Sequence, residues 1–168
     1  MNAFSLKNSQ LHAESVPLSD IAERFATPCY VYSRAALEAS FNEFQKELSH
    51  VDSLVCYAVK ANSNLAVLNV FARLGAGFDI VSVGELKRAL AAGADPRKIV
   101  FSGVAKTPAD IAFALTAGIK CFNIESPAEL DRIANTARNL GLKAHISVRV
   151  NPNIDAHVDH HVAKIGRA

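Results

Sequence analysis

Apolar residues recur along this chain at helical and at strand spacing in turn, and the switches between the two lay out its elements. From Arg34 to Leu48 the residues Leu37, Phe41, Phe44 and Leu48 fall three or four apart, which puts them on one face of a helix. A short apolar segment, Leu54-Val55-Cys56, follows, and the stretch Tyr57 to Asn62 sits where this buried strand gives way to a loop. Asn64 then caps a helix carrying Val67, Val70, Phe71 and Leu74, and Gly75 ends it. A strand at Gly77 to Val81 leads into Ser82-Val83-Gly84-Glu85, a capping box that opens a helix with Leu86, Ala89 and Leu90 inward and Gly93 as its stop. The unit repeats: a strand at Lys98 to Phe101, a helix opened by Thr107-Pro108-Ala109-Asp110 that buries Ile111, Ala114 and Leu115 and closes at Gly118, then a strand at Cys121 to Ile124. Ser126-Pro127-Ala128-Glu129 opens one more helix, and after Gly141 the run Ala144 to Val150 makes another strand.

The first residues follow no such rule. Met1 to Ser19 shows no sustained period and reads as an extended lead-in to a short helix around Leu18 to Phe25. Thr27 to Tyr32 reads as a short strand opened by proline, which suits an edge position.

Strand, cap, helix and glycine, repeated about every twenty residues, predict successive βα units with right-handed crossovers and a parallel sheet. A doubly wound sheet and a barrel both satisfy that pattern. The doubly wound sheet needs a glycine-rich turn after an early strand for its nucleotide, and the turn here is Lys60-Ala61-Asn62-Ser63-Asn64. Polar residues within the strands favour the barrel: Asp79, Asn123, and the alternating His145, Ser147 and Arg149, which share one face. A barrel lumen accepts polar groups around a ligand, whereas both faces of a doubly wound sheet lie under helices. About five of the eight strands that closure requires are present.

Composition adds limits. Half of the 168 residues are apolar and a fifth are charged, as in one soluble domain with a sizeable core. A formal net charge of +2, with its basic residues dispersed, argues against nucleic acid or an anionic membrane surface and leaves a small molecule as the expected partner. No apolar run reaches membrane-spanning length and no leader-like stretch opens the chain, so the expected location is the cytosol. Cys29, Cys56 and Cys121 are odd in number and each lies in a strand-like context; they read as buried, reduced thiols rather than bridges or zinc ligands. The tract His157-Val158-Asp159-His160-His161 is only a compositional hint of metal, and no metal site is expected.

The candidate chemistry centres on Lys60. Ligands bind at the carboxyl ends of parallel strands, and a partly desolvated lysine there becomes a nucleophile toward carbonyls. The competing reading is a lysine whose ammonium reaches out of a strand end into water. Asp79 stands in an otherwise apolar strand, Glu85 has a sufficient role in its capping box, and His145 reads as a core or lumen residue.

Tyr57-Ala58-Val59-Lys60-Ala61-Asn62 resembles the lysine motif of the pyridoxal-phosphate-dependent decarboxylases that share a barrel with alanine racemase. Ser63 to Leu68 and Gly77-Phe78-Asp79-Ile80-Val81-Ser82-Val83-Gly84-Glu85-Leu86 resemble the diaminopimelate decarboxylase group of that family. The likeness runs from about Thr27 to Asp155 through Phe101 to Lys106, Phe122 to Ser126 and Val148 to Pro152. It implies a partial (β/α)8 TIM-type barrel of PLP fold type III, with pyridoxal 5'-phosphate held covalently by Lys60. It also places Asp79 and Glu85 near that lysine as catalytic groups and Arg149 among the cofactor-binding groups. Arg149 paired structurally with Glu125 stands as an equal alternative. The implied reaction is decarboxylation of meso-2,6-diaminopimelate to L-lysine by a homodimer. Ornithine or arginine as substrate, or a noncatalytic cofactor-binding fragment, remain open.

Past Ala156 the resemblance stops, where the family has a glycine-containing loop and a Lys-Phe-Gly turn and this chain runs His160-His161-Val162-Ala163-Lys164-Ile165-Gly166-Arg167-Ala168. The expected organisation is therefore a lead-in and edge strand at 1–33, an incomplete barrel at 34–156 and a divergent tail at 157–168, a truncated and inactive form of the parent enzyme.

Overall fold

The computed structural model describes residues 3–150. Its larger part is a parallel sheet of five strands, β4 (Cys56–Ala58), β5 (Gly77–Ile80), β6 (Ile99–Phe101), β7 (Cys121–Ile124) and β8 (Ile146–Val148). They are joined by α3 (Leu65–Arg73), α4 (Val83–Ala91), α5 (Pro108–Ala117) and α6 (Pro127–Leu140). The strands lie side by side in chain order, β4-β5-β6-β7-β8. A doubly wound sheet reverses direction at a switch point; here every crossover advances the same way and each helix packs on the next, from α3 to α6. That is the winding of a (β/α)8 barrel, five strands of it.

Alternation along each strand separates core from lumen. Phe78 and Ile80 are buried while Asp79 between them is half-buried, and Phe122 and Ile124 are buried on either side of Asn123. These side chains meet Leu68, Leu86, Ile111 and Ile133 from the helices, forming the core between sheet and helix layer. The neighbouring strands crowd Gly77 from both sides, where an added Cβ would lie 2.6 Å from Cys56 Sγ and 2.7 Å from the Lys98 carbonyl. All three residues of β8 are exposed.

The helix starts follow the caps read from the sequence. Asn64 accepts from the Ala66 N–H, Ser82 from Glu85, Ser126 from Glu129, and Thr107 with Asp110 makes a full reciprocal box. Glu85 departs from the pattern: its carboxylate accepts from the Val81 N–H at 2.7 Å, one residue beyond the cap.

Three sequence expectations are corrected. The lead-in is an antiparallel meander of β1 (Phe4–Lys7), β2 (Gln10–Ala13) and β3 (Val16–Pro17), running into α1 (Leu18–Phe25). Asn8 and Ser9 both take positive φ, 49° and 61°, the signature of a two-residue hairpin turn. The meander left little hydrophobic signal because its outward residues are themselves apolar, with Leu6 72% exposed. Thr27 to Tyr32 forms no strand, since the described residues offer its backbone no partner, and Tyr30 stands in solvent. In α2 (Arg34–Glu47), capped by Ser33, only Phe41 of the expected stripe is buried, with Leu37 packed at the edge of the core, while Phe44 is exposed.

Candidate functional site

The carboxyl ends of all five parallel strands open onto one cavity of about 610 Å³. Lys60 comes from the end of β4, Asp79 and Val81 from β5, Ser102, Gly103 and Val104 from β6, Asn123 and Glu125 from β7, and Ser147 and Arg149 from β8. Lys60, Asp79 and Arg149, separated by up to 89 positions (149 − 60) in sequence, thus share a wall.

Lys60 is presented by a single 3-10 turn, Val59–Ala61, immediately after β4. Val59 is wholly buried and anchors the turn. Tyr57 stacks on Phe71 with ring centroids 4.2 Å apart, and its hydroxyl donates to the Asn62 carbonyl at 3.3 Å, closing the loop beyond the lysine. Lys60 itself is exposed and, among the described residues, its amine makes no hydrogen bond or ion pair. A lysine with no structural partner facing a polar cavity is free to react with an aldehyde.

Asp79 lies beside Ala58 in the β4–β5 register, next to the strand that delivers Lys60. Its carboxylate accepts from the Ser102 hydroxyl at 2.5 Å, and Ser102 Oγ accepts from the Asn123 amide at 3.0 Å, so one chain of hydrogen bonds crosses β5, β6 and β7. Arg149 donates to Glu125 Oε2 at 3.0 Å, and Glu125 Oε1 accepts from the Gly103 N–H at 3.0 Å. Of the two readings left open for Arg149, the ion pair with Glu125 is present, and both partners line the cavity. Glu85 is not a lining residue; its carboxylate is occupied by Val81.

His145 parts from Ser147 and Arg149. It precedes β8 and, with Arg97, Lys120 and Lys143, lines a separate cavity of about 480 Å³ at the opposite ends of the strands. The thiols are also less buried than expected: Cys29 is exposed, and Cys56 and Cys121 are half-buried, with burial pushing both thiols up from their ordinary range. A strand-like context had promised burial, but Cys29 belongs to a segment that is no strand. The tract at 157–161 lies outside the described residues, and so does the divergent tail as a whole. Among the described residues no group of three or more His, Cys, Asp or Glu side chains is placed to hold a metal ion, and no helix is long and apolar enough to cross a membrane.

Sequence reasoning passed over one residue at this site. Lys106 is 2% exposed and its ammonium contacts the Gly103 carbonyl at 2.6 Å, the Asn123 carbonyl at 2.9 Å and Glu129 Oε1 at 2.8 Å. Its signal was present in Phe101 to Lys106 and in the helix start at Glu129, but nothing local shows that a lysine and a capping glutamate 23 residues apart will meet.

The donor set suits pyridoxal phosphate: a free amine for its aldehyde, a carboxylate fixed beside it, and a guanidinium and hydroxyls around the same space. Comparison with known proteins agrees. Residues 34–166 match the family model described as the pyridoxal-dependent decarboxylase, pyridoxal binding domain. Over 156 residues, 93% of its length, the chain is 60% identical to the diaminopimelate decarboxylase of Pseudomonas aeruginosa, of which it covers 38%. The crystal structure of the M. jannaschii diaminopimelate decarboxylase in complex with L-lysine superposes with a TM-score of 0.90 at 32% identity, over 97% of this chain and 39% of that one. The arginine decarboxylase of Paramecium bursaria Chlorella virus gives 0.68 at 25% identity, over 81% and 37%. The chain thus spans less than two-fifths of the length of these relatives.

Proposed function

The chain belongs to the pyridoxal-dependent decarboxylases through their pyridoxal-binding domain, and from that premise we propose that it forms the lysine-bearing part of an enzyme that converts meso-2,6-diaminopimelate to L-lysine. Among the described residues, 34–150 then belong to the barrel, and 3–33 lead into it. The observation that carries the reading is the uncommitted amine of Lys60 in the cavity it shares with Asp79 and Arg149.

Pyridoxal 5'-phosphate, when bound, supplies an aldehyde for covalent attachment and a ring that accepts the electron pair left as carbon dioxide departs. Lys60 would hold that aldehyde carbon through Nζ, and its short turn on buried Val59 limits where the amine can reach. Asp79, steadied by Ser102, offers a negative charge to the lysine ammonium on the side of β5. Arg149 presents positive charge from β8 on the other side, and Glu125 sets its direction. Glu85 acts through the backbone, fixing Val81 and so the wall beside Asp79.

Identity of 60% to a diaminopimelate decarboxylase against 25% to an arginine decarboxylase supports the first substrate over the second. The reading is tested by incubating the chain with pyridoxal phosphate, reducing with borohydride and mapping the labelled peptides. Label concentrated on Lys60 and abolished by Lys60→Ala is expected. Label spread evenly over Lys60, Lys87, Lys98 and Lys120 would refute a formed site. Retention of the Lys60 label in the presence of excess meso-diaminopimelate, but not of arginine, would count against the substrate assigned.

A further inference from the structure

Among the described residues, Lys106 and Glu129 are the only ionisable side chains that are buried, at 2% and 3% exposure. An ammonium has three hydrogens to donate, and Lys106 places all three, on the carbonyls of Gly103 and Asn123 and on Glu129 Oε1. The remaining carboxylate oxygen of Glu129 accepts from the Glu125 N–H at 2.8 Å. Both residues whose carbonyls are held, Gly103 and Asn123, line the cavity, and so does Glu125. No polar atom of the pair is left without a partner.

The loop held in this way is one that cannot set its own shape. Gly103 takes φ +94°, and a Cβ there would stand 3.3 Å from Val81 Cβ and 3.4 Å from the Val81 carbonyl. Its N–H goes to Glu125, which pairs with Arg149, and its carbonyl goes to Lys106. Asn123 continues to Ser102 and from there to Asp79. Every polar group proposed to face the cofactor, apart from Lys60 and Ser147, is thus within three hydrogen bonds of the Lys106 ammonium. A buried ion pair contributes little net stability compared with apolar residues of the same volume, so an effect on geometry is the contribution to look for.

We propose that Lys106, neutralised by Glu129, is a positioning residue for the cofactor cavity: it clamps the Gly103 and Asn123 carbonyls so that Glu125, Arg149, Ser102 and Asp79 keep their places. The proposal rests on reading the cavity as the cofactor site. Burial also keeps the Lys106 amine out of competition with Lys60 for the aldehyde.

The experiment compares the 168-residue chain with the double variant Lys106→Met/Glu129→Gln, which removes the charge pair but keeps an acceptor for the Glu125 N–H. Lys98→Met, which cuts an ammonium contact to the Gly75 carbonyl at the other end of the sheet, serves as control. Amide hydrogen exchange is followed at Gly103 and in α4, with borohydride trapping of pyridoxal phosphate on Lys60 titrated in parallel. In the double variant Gly103 should exchange at least roughly tenfold faster while α4 is unchanged. If the competent wall is populated a tenth of the time, half-saturation of Lys60 trapping should rise by roughly the same factor. Neither change is expected in Lys98→Met. Unchanged exchange at Gly103, or acceleration by the same factor throughout α4, overturns the proposal and leaves the pair a structural one. If the double variant does not fold, Glu129→Gln alone decides by the same Gly103 readout. A wild-type chain that takes no label at Lys60 sinks the cofactor reading, while exchange at Gly103 still settles what Lys106 does.

Discussion

Arg149 and Glu125 meet at 3.0 Å across the ends of β8 and β7, with the arginine side chain 40% exposed and the glutamate 13%. A pair so open to water is worth about 0–1 kcal/mol to the fold. Arg149→Gln should therefore lower unfolding free energy by less than about 1 kcal/mol in urea, yet reduce pyridoxal-phosphate trapping at Lys60 severalfold. A large stability loss with trapping intact would make the pair purely structural.

Gly77 has no room for a side chain. A Cβ would meet Cys56 Sγ at 2.6 Å, the Lys98 carbonyl at 2.7 Å and Leu54 Cδ2 at 3.0 Å, and the carbonyl belongs to backbone that cannot rotate away. Gly77→Ala is expected to cost about 1–3 kcal/mol, the range for overpacking a core. Denaturant midpoints of the two chains measure it, and equal midpoints would mean that β4 and β6 yield more easily than their packing indicates.

Glu14 ties the N-terminal meander to α2. Its carboxylate accepts from the Ala35 N–H at 2.9 Å and the Ser33 hydroxyl at 2.7 Å, and these bonds, the backbone one first, hold its pKa below the usual glutamate range. A depressed folded value means that the stabilisation is fully present above the ordinary glutamate pKa and is lost as pH falls through the depressed one. Exchange of the Ala35 amide should accelerate selectively in that acidic window. In Glu14→Gln the same amide should exchange faster at neutral pH, with no further acid step.

The three thiols should react in a fixed order. Cys29 is exposed, whereas burial raises the thiol pKa of Cys56 and Cys121 and restricts access to them. Thiolate fraction and exposure together set the rate of alkylation. Under mildly alkaline conditions Cys29 should be carbamidomethylated roughly tenfold faster than either of the others, as read by peptide mass spectrometry. Comparable rates at Cys56 would show that the sheet opens near Lys60.

Whatever depends on neighbours a few residues apart could be read from the chain itself. Side-chain period, an Asn, Ser or Thr cap and a terminating glycine are local devices, and they located α3 to α6, the five parallel strands and the position of Lys60 at the end of β4. Asp79, Asn123 and Ser147 were legible as polar breaks on the lumen face for the same reason. The rest was decided by contacts between segments far apart in sequence. Strand order, which separates a barrel from a doubly wound sheet, follows from how each crossover packs on the last. The meander needed its three short strands to find one another, and Thr27 to Tyr32, with strand-like residues but no backbone partner among those described, stayed unpaired. Lys106 shows the limit best. A lysine near a helix start reads as a surface residue, and only the fold brings it acceptors from 3, 17 and 23 positions away. Desolvating an ammonium costs too much unless all of its hydrogens and its charge are met at once, and that condition depends on tertiary structure alone.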